Sequence, residues 1–272
     1  MAQTTPGGRG LGLIPDAPDH RDRLYAVRRE ATPYKFIDLE PDPATPPVWD
    51  QGQLGSCTAH GTLACFLWAS AKCGADDPML SRLQLYYNTR ALGGTTDEDS
   101  GGQIRDAIKA TAQGIAPEAD WPYDISKFTQ APPEQALKDA ADNIGLDYQR
   151  VDATDDAIQA CLAEGFPIDI GVTLYDSFES DEATHTGLVS MPAHGDQVIG
   201  GHCMAVWGIG LGEDWHAAGQ FLDADLGATK VYAKVRNSWG PDVYQRGYLL
   251  MPVEYLADPD LGQDYWTIRR VS

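Results

Sequence analysis

The stretch Gln51-Gly52-Gln53-Leu54-Gly55-Ser56-Cys57 runs straight into Thr58-Ala59-His60-Gly61-Thr62-Leu63-Ala64-Cys65-Phe66-Leu67-Trp68-Ala69-Ser70-Ala71-Lys72. The second part carries apolar residues on nearly every face at helical spacing, which predicts a buried helix. The glycine-rich turn before it sets Cys57 in the first helical turn. There the backbone N–H groups lack intrahelical partners and the helix dipole is positive, and both favour a thiolate. For an isolated cysteine the plainer alternative is a small buried hydrophobe at a helix start. The rest of the chain decides between the two.

Further on, Gly200-Gly201-His202-Cys203-Met204-Ala205-Val206-Trp207-Gly208-Ile209-Gly210 places a histidine at the start of an apolar strand, where its imidazole can face a cleft. Val235-Arg236-Asn237-Ser238-Trp239-Gly240, followed by Gly247-Tyr248, sets an amide beside an indole. A cysteine, a histidine and an amide are the parts of an activated thiolate nucleophile. Helical patterns also run over Ser81 to Ala91 with Ser81 as N-cap, over Gln103 to Gln113, and around Asp155 to Glu164. Strand-like segments follow at Pro167 to Leu174, His202 to Ile209, Lys230 to Arg236 and Tyr248 to Met251. Helices followed by strands predict an α+β protein of two packed lobes, with the site in the cleft between them.

These ordered motifs resemble those of the papain-like cysteine peptidases. Gln51 to Cys57 is similar to the family's oxyanion-glutamine and nucleophile motif, His202 and its strand to the catalytic-histidine strand, and Asn237-Ser238-Trp239-Gly240 to the asparagine motif. Weaker similarity covers Ser100-Gly101-Gly102, like the glycine pair beside the substrate backbone, and Gly165-Phe166-Pro167-Ile168, like the strand entering the β-rich lobe. The resemblance spans about residues 46 to 252 and implies a papain-like two-lobe fold, with a helical left lobe and a β-rich, barrel-like right lobe. It implies Cys57 as nucleophile and His202 as its ion-pair partner and proton donor to the leaving amine. Asn237 would accept the second imidazole N–H and Trp239 would shield that bond. Gln51, with the backbone N–H of Cys57, would hold the oxyanion. Gly101, Gly102, Gly201 and Trp239 are the implied substrate-binding positions. The implied activity is cysteine-type endopeptidase hydrolysis of a peptide or protein substrate through an acyl-thioester, without metal or organic cofactor.

The chain departs from the family in several places. Leu54 and Thr58 replace the cysteine and aromatic that often flank the nucleophile, which removes a disulfide of secreted members and points to a bacterial-type intracellular branch. Gly201 stands where Asp or Asn often precedes the histidine. His60 replaces a family aromatic and reads as a core histidine rather than a ligand. The separation of His202 and Asn237 is longer than in compact members, and Leu211 to Thr229 reads as an acidic surface insertion. In place of a long helical pro-segment, residues 1–47 read as an extended N-terminal segment preceding a peptidase domain at 48–272, divided near 145 and 146 into the helical and β-rich lobes. Pro33, Pro41, Pro43, Pro46 and Pro47 forbid a long helix there, and charges cluster at Asp19 to Arg23 and Arg28 to Glu30. Ile14-Pro15-Asp16-Ala17-Pro18-Asp19-His20-Arg21-Asp22 is similar to the short N-terminal segment of bacterial members, some of which lay it across the catalytic face. The segment is therefore expected either to cover the cleft as an intramolecular partner or to brace the outside of the lobes.

Composition narrows the classes further. The 272 residues carry 40 Asp+Glu against 20 Lys+Arg, a net charge of −20, and such a field repels phosphate backbones and anionic lipid. Nucleic-acid and membrane partners are not expected. Without an apolar leader or a long apolar run, a cytoplasmic location is the default, with non-classical export left open. The five cysteines, Cys57, Cys65, Cys73, Cys161 and Cys203, suggest neither a disulfide scaffold nor a zinc site. Asp97-Glu98-Asp99 lacks the spacing of a calcium loop and reads as a solvated turn, and His185, His194 and His216 show no metal-ligand spacing. Two alternatives remain at this level: a transpeptidase or amidase acting on a specialised small substrate, and a non-catalytic peptide-binding module.

Overall fold

A computed structural model describes residues 3–26, 35–75 and 79–271; the charged run Arg28 to Glu30 and Pro33 lie outside them. In chain order the elements are β1 (Gln3–Thr4), β2 (Gly10–Leu11), β3 (Ile37–Asp38), α1 (Cys57–Lys72), α2 (Arg82–Gly93), α3 (Ile104–Thr111), α4 (Glu134–Asp139), β4 (Gly145–Arg150), α5 (Asp155–Ala163), β5 (Ile168–Tyr175), α6 (Asp181–Thr186), β6 (Val198–Leu211), α7 (Gly212–Ala217), β7 (Val231–Arg236), β8 (Tyr248–Pro252), α8 (Val253–Ala257) and β9 (Gly262–Val271).

Helix α1 is buried along almost its whole length, as its all-round apolar pattern requires. Gly61 in its second turn lets it lie directly on the sheet. A Cβ there would stand 2.4 Å from Asp169 Oδ1 and 3.0 Å from Cys203 Sγ. Helix α2 starts where expected, because the Ser81 side chain accepts the Gln84 N–H. Leu63, Phe66 and Trp68 of α1 pack with Leu83, Leu85 and Tyr86 of α2 and with Trp207 of β6. The Trp68 and Trp207 rings meet edge to face at 5.6 Å.

The large sheet is antiparallel, in the order β4-β9-β5-β6-β7-β8, and the short β3 adds to β6 through Ile37↔Ile209. Its second apolar core holds Ile168, Ile170 and Val172 of β5, Met204 and Val206 of β6, Val235 of β7 and Ile158 of α5. Register positions the chemistry: His202 pairs with Val172, and Ala205 with Arg236, so the residues just after β7 come level with the His202 end of β6. The α+β class with helices ahead of a β-rich half is therefore as expected.

Two features differ from the sequence expectations. Strands β4 and β9 carry Asp147, Arg150, Asp264 and Arg269, charges that break the apolar alternation, yet β9 lies in the sheet between β4 and β5. The Leu211 to Thr229 insertion is not merely surface: Trp215, Phe221, Ala224 and Leu226 are buried in the α1 core. Gln220 from this insertion and Lys234 of β7 both bond the Asp38 carboxylate, so it locks β3 in place. Among the described residues no helix is long and apolar enough to cross a membrane, and all five cysteines are free.

Candidate active site

The turn before α1 is held from three sides. Ser56 occupies the N-cap without capping the helix through its side chain; its hydroxyl meets Tyr123 Oη at 2.6 Å, and Tyr123 in turn donates to Gln51 O at 3.0 Å. The Gly55 N–H donates to Asp99 at 3.1 Å, and Tyr86 Oη donates to the same carboxylate. The run Asp97-Glu98-Asp99 is thus not wholly a solvated turn, since Asp99 pins the nucleophile loop. Neither Tyr123 nor Asp99 carries a sequence signal for this role, because each reaches the loop from a distant segment.

Gln51 is fully buried. Its Oε1 accepts from Ser238 Oγ, and its backbone N–H donates to Ser238 O at 2.8 Å. This orients the amide so that Nε2 faces the cleft, where it donates to Leu54 O at 2.8 Å and to Gly10 O at 3.0 Å. His202 Nε2 lies 2.8 Å from Asn237 Oδ1. That oxygen also accepts the Ser238 N–H at 2.7 Å, which fixes which end of the amide it is, so His202 Nε2 carries the proton. Trp239, 2% exposed, lies with its ring centroid 5.1 Å from the imidazole and keeps water from this bond. His202 Nδ1 is buried without a partner among the described residues.

Cys57 is the first residue of α1 and is fully buried. The backbone N–H groups of Cys203, Gly12 and Thr58 face its sulfur and favour its thiolate. Burial pushes the thiol up from 9.0 to about 11, and burial also pushes His202 down from 6.5 to about 4 against the opposing pull of Asn237. In this arrangement both groups are neutral, so the ion pair that the resemblance implies is not formed. Cys203, although next to His202 in sequence, projects from the opposite face of β6. Its thiol donates to buried Asp169 Oδ1 at 3.0 Å, and burial with that carboxylate raises its pKa well above 9.0.

The groups over Cys57 come from the N-terminus. Glu179 holds Thr5 Oγ1 at 2.6 Å and the Gly7 N–H at 3.1 Å, and Arg9 pairs with Asp50 at 2.7 Å. The chain then passes over the nucleophile: the Gly10 N–H donates to Gly52 O, and the Leu13 N–H donates to Gly201 O at 3.2 Å. The Gly102 N–H donates to Gly12 O at 2.7 Å, and the Ile14 N–H donates to Gly102 O at 2.9 Å, a parallel bridge centred on Leu13. Gly101 lies against the same carbonyl with φ 77°, and a Cβ there would be 2.1 Å from Gly12 O. Beyond the cleft Arg105 of α3 binds Asp22 at 2.6 Å and the Ala17 carbonyl, and Asp16 accepts from Trp266 Nε1 at 2.9 Å. All eight residues singled out from sequence, Gln51, Cys57, Gly101, Gly102, Gly201, His202, Asn237 and Trp239, therefore converge on one cleft, and residues 9–16 run through it.

Comparisons with known proteins give the family and the fold. A family model described as papain family cysteine protease matches residues 35–257. An uncharacterized peptidase C1-like protein of Acanthamoeba polyphaga mimivirus is 35% identical, over 99% of this chain and 89% of its own length. Cysteine protease 1 of Oryza sativa subsp. japonica is 27% identical over 91% of the chain, which spans 45% of that relative. Among solved structures, xylellain, a cysteine protease from Xylella fastidiosa, superposes with a TM-score of 0.83 at 30% identity, covering 100% of this chain and 98% of that one. Digestive procathepsin L 3 of Tenebrio molitor, at 16% identity and a TM-score of 0.68 over 92% of this chain and 75% of its own, shares the fold. A family model that covers most of the chain, a close structural match along its full length and a cysteine, histidine and asparagine drawn into one cleft lead to one conclusion: the chain belongs to the papain family of cysteine proteases.

Proposed function

We propose that this protease is an endopeptidase with Cys57 as nucleophile and His202 as acid and base, its activity restrained to a residual level by its own residues 9–16. The observation that carries the reading is the occupation of both reactive positions by one segment: the Gly10 carbonyl takes the Gln51 Nε2 donor, and the Gly12 N–H takes the Cys57 sulfur. The carbonyl at the oxyanion donor and the group on sulfur belong to different residues. The sulfur therefore faces a donor rather than an electrophilic carbon, which explains how the segment escapes cleavage. Once the segment leaves, solvent and mutual attraction favour the thiolate and imidazolium.

The thiolate then attacks the scissile carbonyl carbon, and the oxyanion takes the Gln51 donor with the Cys57 N–H. His202 Nδ1 gives its proton to the leaving amine, and the C–N bond breaks to leave a thioester. Water attacks the thioester, its proton passing to Nδ1, and the C–S bond breaks to release the acid product and regenerate the thiolate beside the imidazolium. Asn237 keeps the imidazole plane fixed throughout through Nε2.

The competing thiol is Cys203, and its position behind β6 with Asp169 favours Cys57. A diverse peptide library incubated with reduced protein and read by mass spectrometry separates the two. New internal termini that vanish in Cys57→Ala and persist in Cys203→Ala are expected; persistence in Cys57→Ala would refute the assignment.

A further inference from the structure

His60 lies one turn into α1 behind the nucleophile and is 2% exposed. Its Nδ1 has the Ser56 carbonyl at 3.0 Å, an acceptor only, so Nδ1 carries the proton and Nε2 presents a lone pair. Nε2 is buried and finds no partner among the described residues. Two other buried atoms share that condition nearby, Trp49 Nε1 and Asn237 Nδ2, and both are donors. Trp49, His60 and Asn237 line one small cavity of about 10 Å³, with Arg236, Cys203 and Ser238 among the other residues of its wall. The His60 and Trp49 rings stand edge to face, 6.2 Å apart.

A buried polar atom left unpaired is costly, and a cavity of roughly 10–15 Å³ with two to four polar neighbours is the size and character that holds a single water. One such molecule meets all three unpartnered atoms: it accepts from Asn237 Nδ2 and Trp49 Nε1 and donates to His60 Nε2. No carbon-only ring at position 60 can supply that acceptor.

Resting on the assignment of His202 and Asn237 above, we infer that His60 is a positioning residue of the active site, acting through a buried water that holds the Asn237 amide. The amide is then gripped at both ends: Oδ1 by the Ser238 N–H and the imidazole, Nδ2 by the water. Rotation of the amide would turn Nδ2 toward His202 Nε2–H, donor against donor, and release the imidazole from its working plane.

The test combines a structure with a double-mutant cycle on the full-length protein. A high-resolution crystal structure is expected to show a water within hydrogen-bond distance of His60 Nε2, Trp49 Nε1 and Asn237 Nδ2; an empty or differently bonded cavity overturns the inference. With cleavage of a reporter peptide, His60→Phe is expected to lower kcat by about tenfold, the scale of one lost hydrogen bond, with KM little changed. His60→Gln, which keeps an acceptor, is expected to recover most of the loss. In an Asn237→Ala background His60→Phe should cost nothing more. Additive losses, or equal losses in Phe and Gln variants of unchanged thermal midpoint, would assign His60 to packing alone and overturn the positioning role. Cleavage that survives in Cys57→Ala would remove the underlying assignment, and the inference with it, whereas failure of the His60 series with Cys57→Ala inactive leaves that assignment standing.

Discussion

Gly12→Ala is the smallest change that should lift the N-terminal segment from the cleft. At position 12 a Cβ would stand 1.8 Å from Gly55 O and 2.5 Å from Gly55 C, and the Gly12 carbonyl is already pressed on Gly101. Both obstacles are backbone, so no side-chain rotation relieves the clash. The segment must leave, and with it goes the burial that raises the Cys57 thiol from 9.0 to about 11. At pH 7 a thiol at about 11 is ionised in roughly one molecule in 10⁴, and a thiol at 9.0 in roughly one in 10². Since the thiolate is the reacting species, alkylation of Cys57 should accelerate by at least about 100-fold, more once His202 pairs with it. The assay is iodoacetamide labelling at pH 7 followed by mass spectrometry of the Cys57 peptide, in parallel with peptide cleavage. Gly93→Ala is the control, because a Cβ there meets nothing closer than 3.8 Å. A folded Gly12→Ala protein that labels and cleaves within twofold of the unchanged chain would refute the reasoning.

Two further outcomes are expected. Burial, then the neighbouring Asp264 carboxylate, raises Asp16 from 3.8 to about 6, so the docked segment binds a proton more tightly than the free one. The contribution of Asp16 to docking is complete below 3.8 and fades as pH rises through about 6. Cys57 labelling, corrected for thiol ionisation, should thus be more strongly suppressed at pH 4 than at pH 7, and Asp16→Asn should flatten that difference; an unchanged profile would count against the role of Asp16. Separately, Arg236 donates to the Pro46 and Pro47 carbonyls from a buried site beside Trp49 and Trp207. Arg236→Met leaves those carbonyls unpaired and should lower stability in urea by about 2–4 kcal/mol; a loss under half that would mean water replaces the guanidinium.

Much of the fold was legible because its signals are local. The all-round apolar run after Cys57 demanded a buried helix, Ser81 announced the start of α2, and the apolar run after His202 marked the long central strand. Strand β9 escaped because its charges are satisfied by distant partners, as when Asp264 accepts the Asp16 N–H and pairs with Arg150. The insertion after Leu211 looked like surface because Glu213, Asp214, Asp223 and Asp225 interrupt its apolar residues, yet Trp215 and Phe221 bury themselves in the α1 core.

The division between sequence and tertiary structure follows the range of the forces involved. By itself the chain determined which residue types could do the chemistry: a cysteine at a helix start, a histidine opening an apolar strand, an asparagine beside a tryptophan, and a glutamine before the nucleophile. Their protonation was decided only in three dimensions, since a pKa is set by whatever surrounds the group, and here that is a segment from the other end of the chain. The docking of residues 9–16 was decided there too: the resemblance left cover and brace both open, and only the close approach of backbone to backbone at Gly55 and Gly101 explains why glycine stands at position 12.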